Sequence, residues 1–314
     1  MPKFSYAENI ANNRLNNVQI HKHLSFLNDY HNQGLFIRRT VGLGDVLIAG
    51  LCTSVLRSKT LNKFRVGFIT DPKFIDIVKK CGFVNQIYSD QNFSGFFTLN
   101  LQGQVDYLPI CREDNRIDLM GRAIGLRESE IPRQFPVLSR AQWAIYSHKW
   151  QSFFINQNLV IGLVPLAYAP IRSWPNWRRF LTLGLKNNLK FVLLHNRKLK
   201  TVSDNRILNI TGCTNPVEFM SILSACDAVV SVDTSAVHVC GFLGIPTIAL
   251  FGPINPVLRT CYYPDVETIW LNDQFDCCPC YDWQTHCCHK KSSYRGCMKN
   301  INPKMVLDKL QSIL

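Results

Sequence analysis

Residues 228–256, AVVSVDTSAVHVCGFLGIPTIALFGPINP, decide the fold class. Residues 228–232 are a short valine-rich apolar run, long enough for a buried strand. The run stops at Asp233-Thr234-Ser235, a polar trio suited to capping a helix. Ala236, Val239, Cys240 and Leu243 then recur at i, i+3, i+4 and i+7, one face of a short helix. Gly244 and Pro246 end it, residues 247–251 form the next apolar strand, and Gly252-Pro253 makes the turn. Strand, loop, helix and strand in this order predict a parallel sheet covered by helices.

The chemistry of this stretch lies in its loop. Asp233, Thr234 and Ser235 fall at the carboxyl end of a strand and the amino end of a helix. There the unsatisfied backbone N–H groups and the helix dipole favour an anion, above all a phosphate. His238 lies one turn into the helix, at the fourth position after Thr234, where it can face the same anion. An ordinary N-cap with a partly buried histidine would give the same pattern.

Working outward, residues 159–164 and 190–194 read as two further strands of this half. Between them runs APIRSWPNW (169–177), a loop with two prolines that enters a helix and carries Arg172. Asn215-Pro216-Val217-Glu218 has the layout of a capping box, and Thr214 precedes it on the same side of the sheet as the other loops. The first half repeats the alternation. Residues 35–37 and 65–69 read as strands, 96–99 as a third, and 72–80 as a helix. After the first strand comes RRTVGLGD (38–45), followed by a helix with Leu47, Leu51 and Val55 on one face. Gly42 and Gly44 do not open a dinucleotide fingerprint, because Leu47 stands where its third glycine would be. Asp45 then stands as a helix N-cap or first-turn acid complementing the helix dipole. The expected organisation is a polar extension over 1–33, a first α/β domain over 34–152 and a second over 153–314, with the boundary between Trp150 and Asn158.

The runs VDTSAVH, GFLGIPT and ALFGPINP resemble the donor-binding segment of glycosyltransferase family nine, the lipopolysaccharide heptosyltransferases and their relatives. IRRTVGLGDVL resembles the first βα turn of that family, and RIDLMGRAIGL is similar more weakly. The resemblance covers about 34–310 and implies the GT-B architecture, two Rossmann-like domains with parallel sheets facing across a cleft. It implies an inverting transfer of a heptose-like sugar from a nucleotide diphosphate sugar to a hydroxyl of an anionic acceptor such as lipopolysaccharide core. In that reading Asp45 takes the acceptor proton, and Arg172, two places before Trp174-Pro175, reaches the donor diphosphate. Thr214, Asp233, Thr234, Ser235 and His238 are the implied donor contacts. Three departures stand out. Ser235 replaces the family's usual glycine, Arg172 its commoner lysine, and His195-Asn196-Arg197-Lys198 a Gly-rich turn with an acidic residue.

Bulk properties set the outer limits. The 314 residues are 46% apolar, ample for two cores and too apolar for disorder. Lys and Arg number 35 against 22 Asp and Glu, and the resulting +13 points to an anionic partner. A phosphorylated glycolipid, reached by peripheral membrane contact, fits that charge. A glycosyltransferase acting on a modified base in DNA and a non-catalytic sugar-nucleotide-binding module are the rival readings. The first residues lack the apolar core of a signal peptide, and 13 Cys then indicate a reducing, cytoplasmic setting. Most of the tail Cys and His cluster at Cys277, Cys278, Cys280, His286, Cys287, Cys288, His289 and Cys297. Cys277-x-x-Cys280 has a spacing that zinc sites use, with Cys288 and Cys297 as further ligands, but reduced thiols or a disulfide explain it as well. No Asp-x-Asp motif occurs, so a metal-free mechanism without a cofactor is expected.

Overall fold

The computed structural model describes residues 34–60, 65–93, 98–102, 113–144, 149–155, 158–275, 278–280 and 296–314. The polar extension over 1–33 lies outside them, as do Cys277, His286, Cys287, Cys288 and His289. The chain divides into two compact units, Met1–Arg133 and Gln134–Leu314.

In the first unit, strands β1 (Leu35–Arg38), β2 (Val66–Thr70), β3 (Ile87–Ser89) and β4 (Thr98–Asn100) form one sheet in the order β3-β2-β1-β4. All three pairings are parallel. The helices are α1 (Leu43–Lys59), α2 (Pro72–Cys81) and α3 (Arg116–Ala123). Helix α2 starts with Asp71 capping the Lys73 amide and ends at Gly82, whose φ of 69° terminates it in the left-handed conformation. Its buried Phe74, Ile77, Val78 and Cys81 lie at i, i+3, i+4 and i+7.

The second unit opens with the short helices α4 (Arg140–Ala144) and α5 (Gln151–Phe154). The division falls upstream of the segment between Trp150 and Asn158 because α4 is tied into this unit. Arg140 Nε donates to the Ser224 carbonyl at 2.8 Å, and Ser221 Oγ to the Trp143 carbonyl at 2.8 Å. Six parallel strands follow: β5 (Val160–Val164), β6 (Lys190–Leu193), β7 (Ile207–Asn209), β8 (Ala228–Val232), β9 (Thr247–Phe251) and β10 (Val266–Trp270). Their order is β10-β9-β8-β5-β6-β7. β5, β8 and β9 are buried along their whole length, which is why they read as unbroken apolar runs instead of alternating ones. The helices are α6 (Trp177–Lys186), α7 (Pro216–Ala225), α8 (Ser235–Leu243), α9 (Val257–Thr260), α10 (Gly296–Asn300) and α11 (Pro303–Ile313). Trp177, Phe180 and Leu181 of α6 share one core with Val306, Leu307 and Leu310 of α11. The two parallel α/β sheets meet the expectation of two Rossmann-like units.

Each sheet reverses its strand order once. In the first unit β2 and β3 extend to one side of β1 and β4 to the other; in the second β6 and β7 extend to one side of β5 and β8 to the other. Loops at the carboxyl ends of strands diverge at such a switch point and leave a crevice where ligands bind.

Candidate active site

In the second unit the switch point lies between β5 and β8, which pair in parallel from Ile161 with Ala228 to Val164 with Ser231. The loop after β5 carries Arg172, and the loop after β8 carries Asp233, Thr234 and Ser235. Arg172 Nη1 crosses from one to the other, donating to both the carbonyl and Oδ2 of Asp233 at 3.1 Å. The loop that holds Arg172 is pinned at its exit. Trp174 is fully buried, its amide bonds back to the Pro165 carbonyl at 2.9 Å, and its indole Nε1 donates to the Ile301 carbonyl at 3.0 Å. Ser173 Oγ accepts from the Ala167 amide at 3.1 Å, closing the same loop. The Trp-Pro pair therefore acts as an anchor, and the guanidinium two residues before it inherits a fixed position.

Asp233 is almost completely buried. Burial pushes its carboxyl pKa up, but the guanidiniums of Arg172 and Arg259, the Arg172 hydrogen bond and His238 together outweigh burial and hold it below the ordinary 3.8. Arg259, on α9 after β9, is itself buried, and sequence reasoning did not single it out. Two guanidiniums thus act on one carboxylate at the crevice. The folded pKa is depressed, so this carboxylate stabilises the fold fully above the unfolded value near 3.8 and loses that contribution as pH falls through the folded value. Asp233→Asn is therefore expected to flatten the fall of the melting temperature below about pH 4, a change that acid melting curves of both proteins measure.

Thr234 is the N-cap of α8, and its side-chain oxygen accepts from the Ala236 amide at 3.3 Å. Ser235 is the first helical residue and half-buried, and its own helical φ/ψ makes no demand for glycine. His238 is buried, with Nδ1 against the Tyr263 hydroxyl at 2.9 Å. Tyr263 stands flush on Gly241, where an added Cβ would lie 2.3 Å from its Cγ. We expect Gly241→Ala to cost about 1–3 kcal/mol by overpacking and to displace the phenol that orients His238. Thermal melting, with the His238 proton shifts as a second readout, tests this. Thr214 follows β7, two strands beyond β5, in a loop at the same end of the sheet.

The first unit has the matching arrangement between β1 and β4. Arg39 is buried; its Nη1 reaches the Leu101 carbonyl beyond β4 at 3.4 Å, and its Nε donates to the Val41 carbonyl at 3.0 Å. Its Nη2 donates to Asp45 Oδ2 at 2.6 Å. Arg116, the first residue of α3, grips the other face of the same carboxylate. Its Nε lies 2.7 Å from Oδ1 and its Nη2 3.0 Å from Oδ2. Asp45 remains 18% exposed, against 2% for Arg39 and 9% for Arg116, so the carboxylate is reachable while its partners are not. Gly42 caps α1 with φ 78°, and a Cβ there would meet Asp45 Oδ2 at 3.0 Å. The turn needs glycine both for its backbone and for the close approach of the carboxylate. Sequence reasoning named Asp45 but missed both arginines that orient it.

In the tail, Cys297 is buried against Gly252, and the Cys278 thiol hydrogen-bonds it, holding its pKa below the ordinary 9.0 against the opposing effect of burial. Among the described residues no three His, Cys, Asp or Glu side chains cluster to hold a metal ion. Of the four proposed zinc ligands, Cys277 and Cys288 lie outside those residues.

With this geometry in view, residues 114–291 match the model of glycosyltransferase family 9 (heptosyltransferase). The chain belongs to that family. Lipooligosaccharide heptosyltransferase 2 of Haemophilus influenzae is 24% identical over 178 residues, 52% of this chain and 50% of the relative. The match thus spans about half the length of that curated relative. ADP-heptose lipopolysaccharide heptosyltransferase II of E. coli superposes with a TM-score of 0.66 at 15% identity, over 90% of this chain and 98% of that one. The dodecameric iron-containing heptosyltransferase TibC, in complex with ADP-D-β-D-heptose, gives 0.64 at 14% identity, over 90% and 77% of the two chains. At these identities the two structures show a shared fold, and the family expectation formed from the sequence is borne out by the family match.

Proposed function

We propose that this protein transfers a heptose-like sugar, with inversion, from a nucleotide diphosphate sugar to a hydroxyl of an anionic acceptor such as lipopolysaccharide core. The observation that carries the reading is the crevice between β5 and β8. There a guanidinium fixed by a buried tryptophan meets a capped helix start. Oxyanions of a diphosphate fit that pairing, since a bidentate cation and helix N–H groups act together. Structural relatives bound to, or named for, ADP-heptose support an adenosine diphosphate sugar as the donor. The lipooligosaccharide named for the Haemophilus relative supports the acceptor class.

The chemistry follows from the residues. Asp45 takes the proton of the acceptor hydroxyl, whose oxygen forms a bond to the anomeric carbon. The bond from that carbon to the diphosphate oxygen breaks, and the nucleoside diphosphate leaves from the opposite face. The transition state is oxocarbenium-like, as in glycoside hydrolysis. Arg172 and the helix start at Thr234 and Ser235 carry the charge that grows on the leaving diphosphate.

Without an Asp-x-Asp motif, the diphosphate charge falls to Arg172 and the helix end. EDTA is then expected to leave transfer running. Activity lost to EDTA and restored by magnesium or manganese would overturn this part. Loss accompanied by unfolding, and reversed by zinc or iron, would instead assign a structural metal to the Cys-rich tail.

A further inference from the structure

The six-stranded sheet has a second feature at its other end. A cavity of about 690 Å³ is lined by Lys149, Trp150, Phe153, Asn158, Lys190 and Arg206, among others. Asn158 precedes β5, Lys190 opens β6 and Arg206 precedes β7, so the cavity lies at the amino ends of three neighbouring strands. The Arg172–Asp233 crevice is at the carboxyl ends. The cavity is therefore no part of the donor site.

Its cations are not equivalent. Arg206 is spoken for: Nε and Nη2 bond Asp204 at 3.0 and 2.8 Å, and Nη1 donates to the Leu185 carbonyl at 2.8 Å. Lys190 is different. It is only 6% exposed, yet its ammonium meets the Phe153 carbonyl at 3.0 Å and the Phe153 ring at 4.7 Å, both uncharged. Among the described residues it makes no salt bridge to a carboxylate. A buried ammonium is costly unless an anion accompanies it, and one carbonyl occupies only one of its three donors. Lys149, whose ammonium lies 5.0 Å from the Trp150 ring, adds a second charge without a carboxylate among the described residues. Two aromatic walls, two such ammonium groups and the amide of Asn158 suit a ligand that joins an anionic head to an apolar or ring-bearing body.

We propose that this cavity binds a phosphate-bearing group, with Lys190 as its buried counter-ion and Lys149 at its mouth. The phosphate is either free in solution or the headgroup of an anionic lipid. Ile155 and Leu159, 70% and 42% exposed, lie in the same stretch of chain as the lining residues and offer apolar contact for the lipid case.

Two probes applied to the full chain separate the sources. Calorimetry uses inorganic phosphate. Flotation uses vesicles of phosphatidylglycerol in phosphatidylcholine, compared with phosphatidylcholine alone. Lys190→Met and Lys149→Glu should each weaken binding of at least one probe by roughly tenfold or more, the size of a lost charge-assisted hydrogen bond. Lys79→Ala, which removes an exposed charge in the first unit, should leave both within about twofold, the scale of one screened surface charge. Loss confined to vesicles assigns a lipid headgroup, and loss with inorganic phosphate assigns a free phosphate ligand. Lys149 is exposed, so its variant decides the matter if Lys190→Met fails to fold by thermal melting. The proposal is overturned if wild type binds neither probe, or if both lysine variants bind like Lys79→Ala.

Discussion

Asp45→Asn is expected to lower turnover about 100-fold or more, the range for a positioned general base, while leaving donor binding nearly unchanged. The amide keeps the shape of the carboxylate and cannot take up the acceptor proton. The structure adds a second consequence. Arg39 and Arg116 both donate to this carboxylate and are almost without solvent, so the substitution leaves two buried guanidiniums facing a neutral group. Breaking a buried ion pair by removing one partner costs about 3–5 kcal/mol, with the amide oxygen recovering part of it. Melting curves and turnover per folded molecule therefore belong together. A loss of melting temperature with turnover within a few-fold of wild type would make Asp45 the holder of Arg39 and Arg116 and not the base. A rise in the acceptor KM with kcat unchanged would say the same.

Arg172→Ala is expected to weaken nucleoside diphosphate binding by roughly 10- to 150-fold, from the 1.5–3 kcal/mol of a charge-assisted hydrogen bond. Turnover should fall further, because charge on the leaving diphosphate grows in the transition state. Arg172→Lys should recover part of the loss, since it restores the charge without the fork. Asp233 matters to the interpretation. It loses one of its two neighbouring guanidiniums in the alanine variant and keeps Arg259, so the local fold has a remaining counter-charge. Calorimetry on wild type, Arg172→Ala and His238→Ala separates the direct contact from the buried histidine. Unchanged affinity in both variants would remove the donor from the β5–β8 crevice.

The sequence was most legible where burial is complete. β8 and β9 have the bounds expected from their apolar runs, and β5 and β6 differ by a residue at one end. The caps at Asn215 and Thr234 are read as directly, because each side chain bonds an amide a few residues away. The strands that escaped notice are β3, β7 and β10, each at the edge of its sheet. β3 and β7 have three residues each and β10 is only partly buried, so none shows a long apolar run. The candidate site was legible in part for a related reason. Asp45, Arg172 and the Asp233–Ser235 loop sit in local patterns of turn and cap. Arg39, Arg116 and Arg259 earn their places only through contacts across the fold. Arg116 meets Asp45 from 71 positions away, and no local spacing announces such a partner. Arg39 lay in plain view within RRTVGLGD, but nothing in that run distinguishes the arginine that turns inward from Arg38, which stays partly exposed.

The central claim is that the crevice between β5 and β8 holds a nucleotide diphosphate sugar. Its most direct test is native mass spectrometry of the purified chain, wild type and Arg172→Ala, after incubation with a panel of nucleotide diphosphate sugars that includes ADP-heptose. The account predicts that wild type retains one member of the panel and that Arg172→Ala loses it. Retention of none by wild type, or equal retention by the variant, would contradict it.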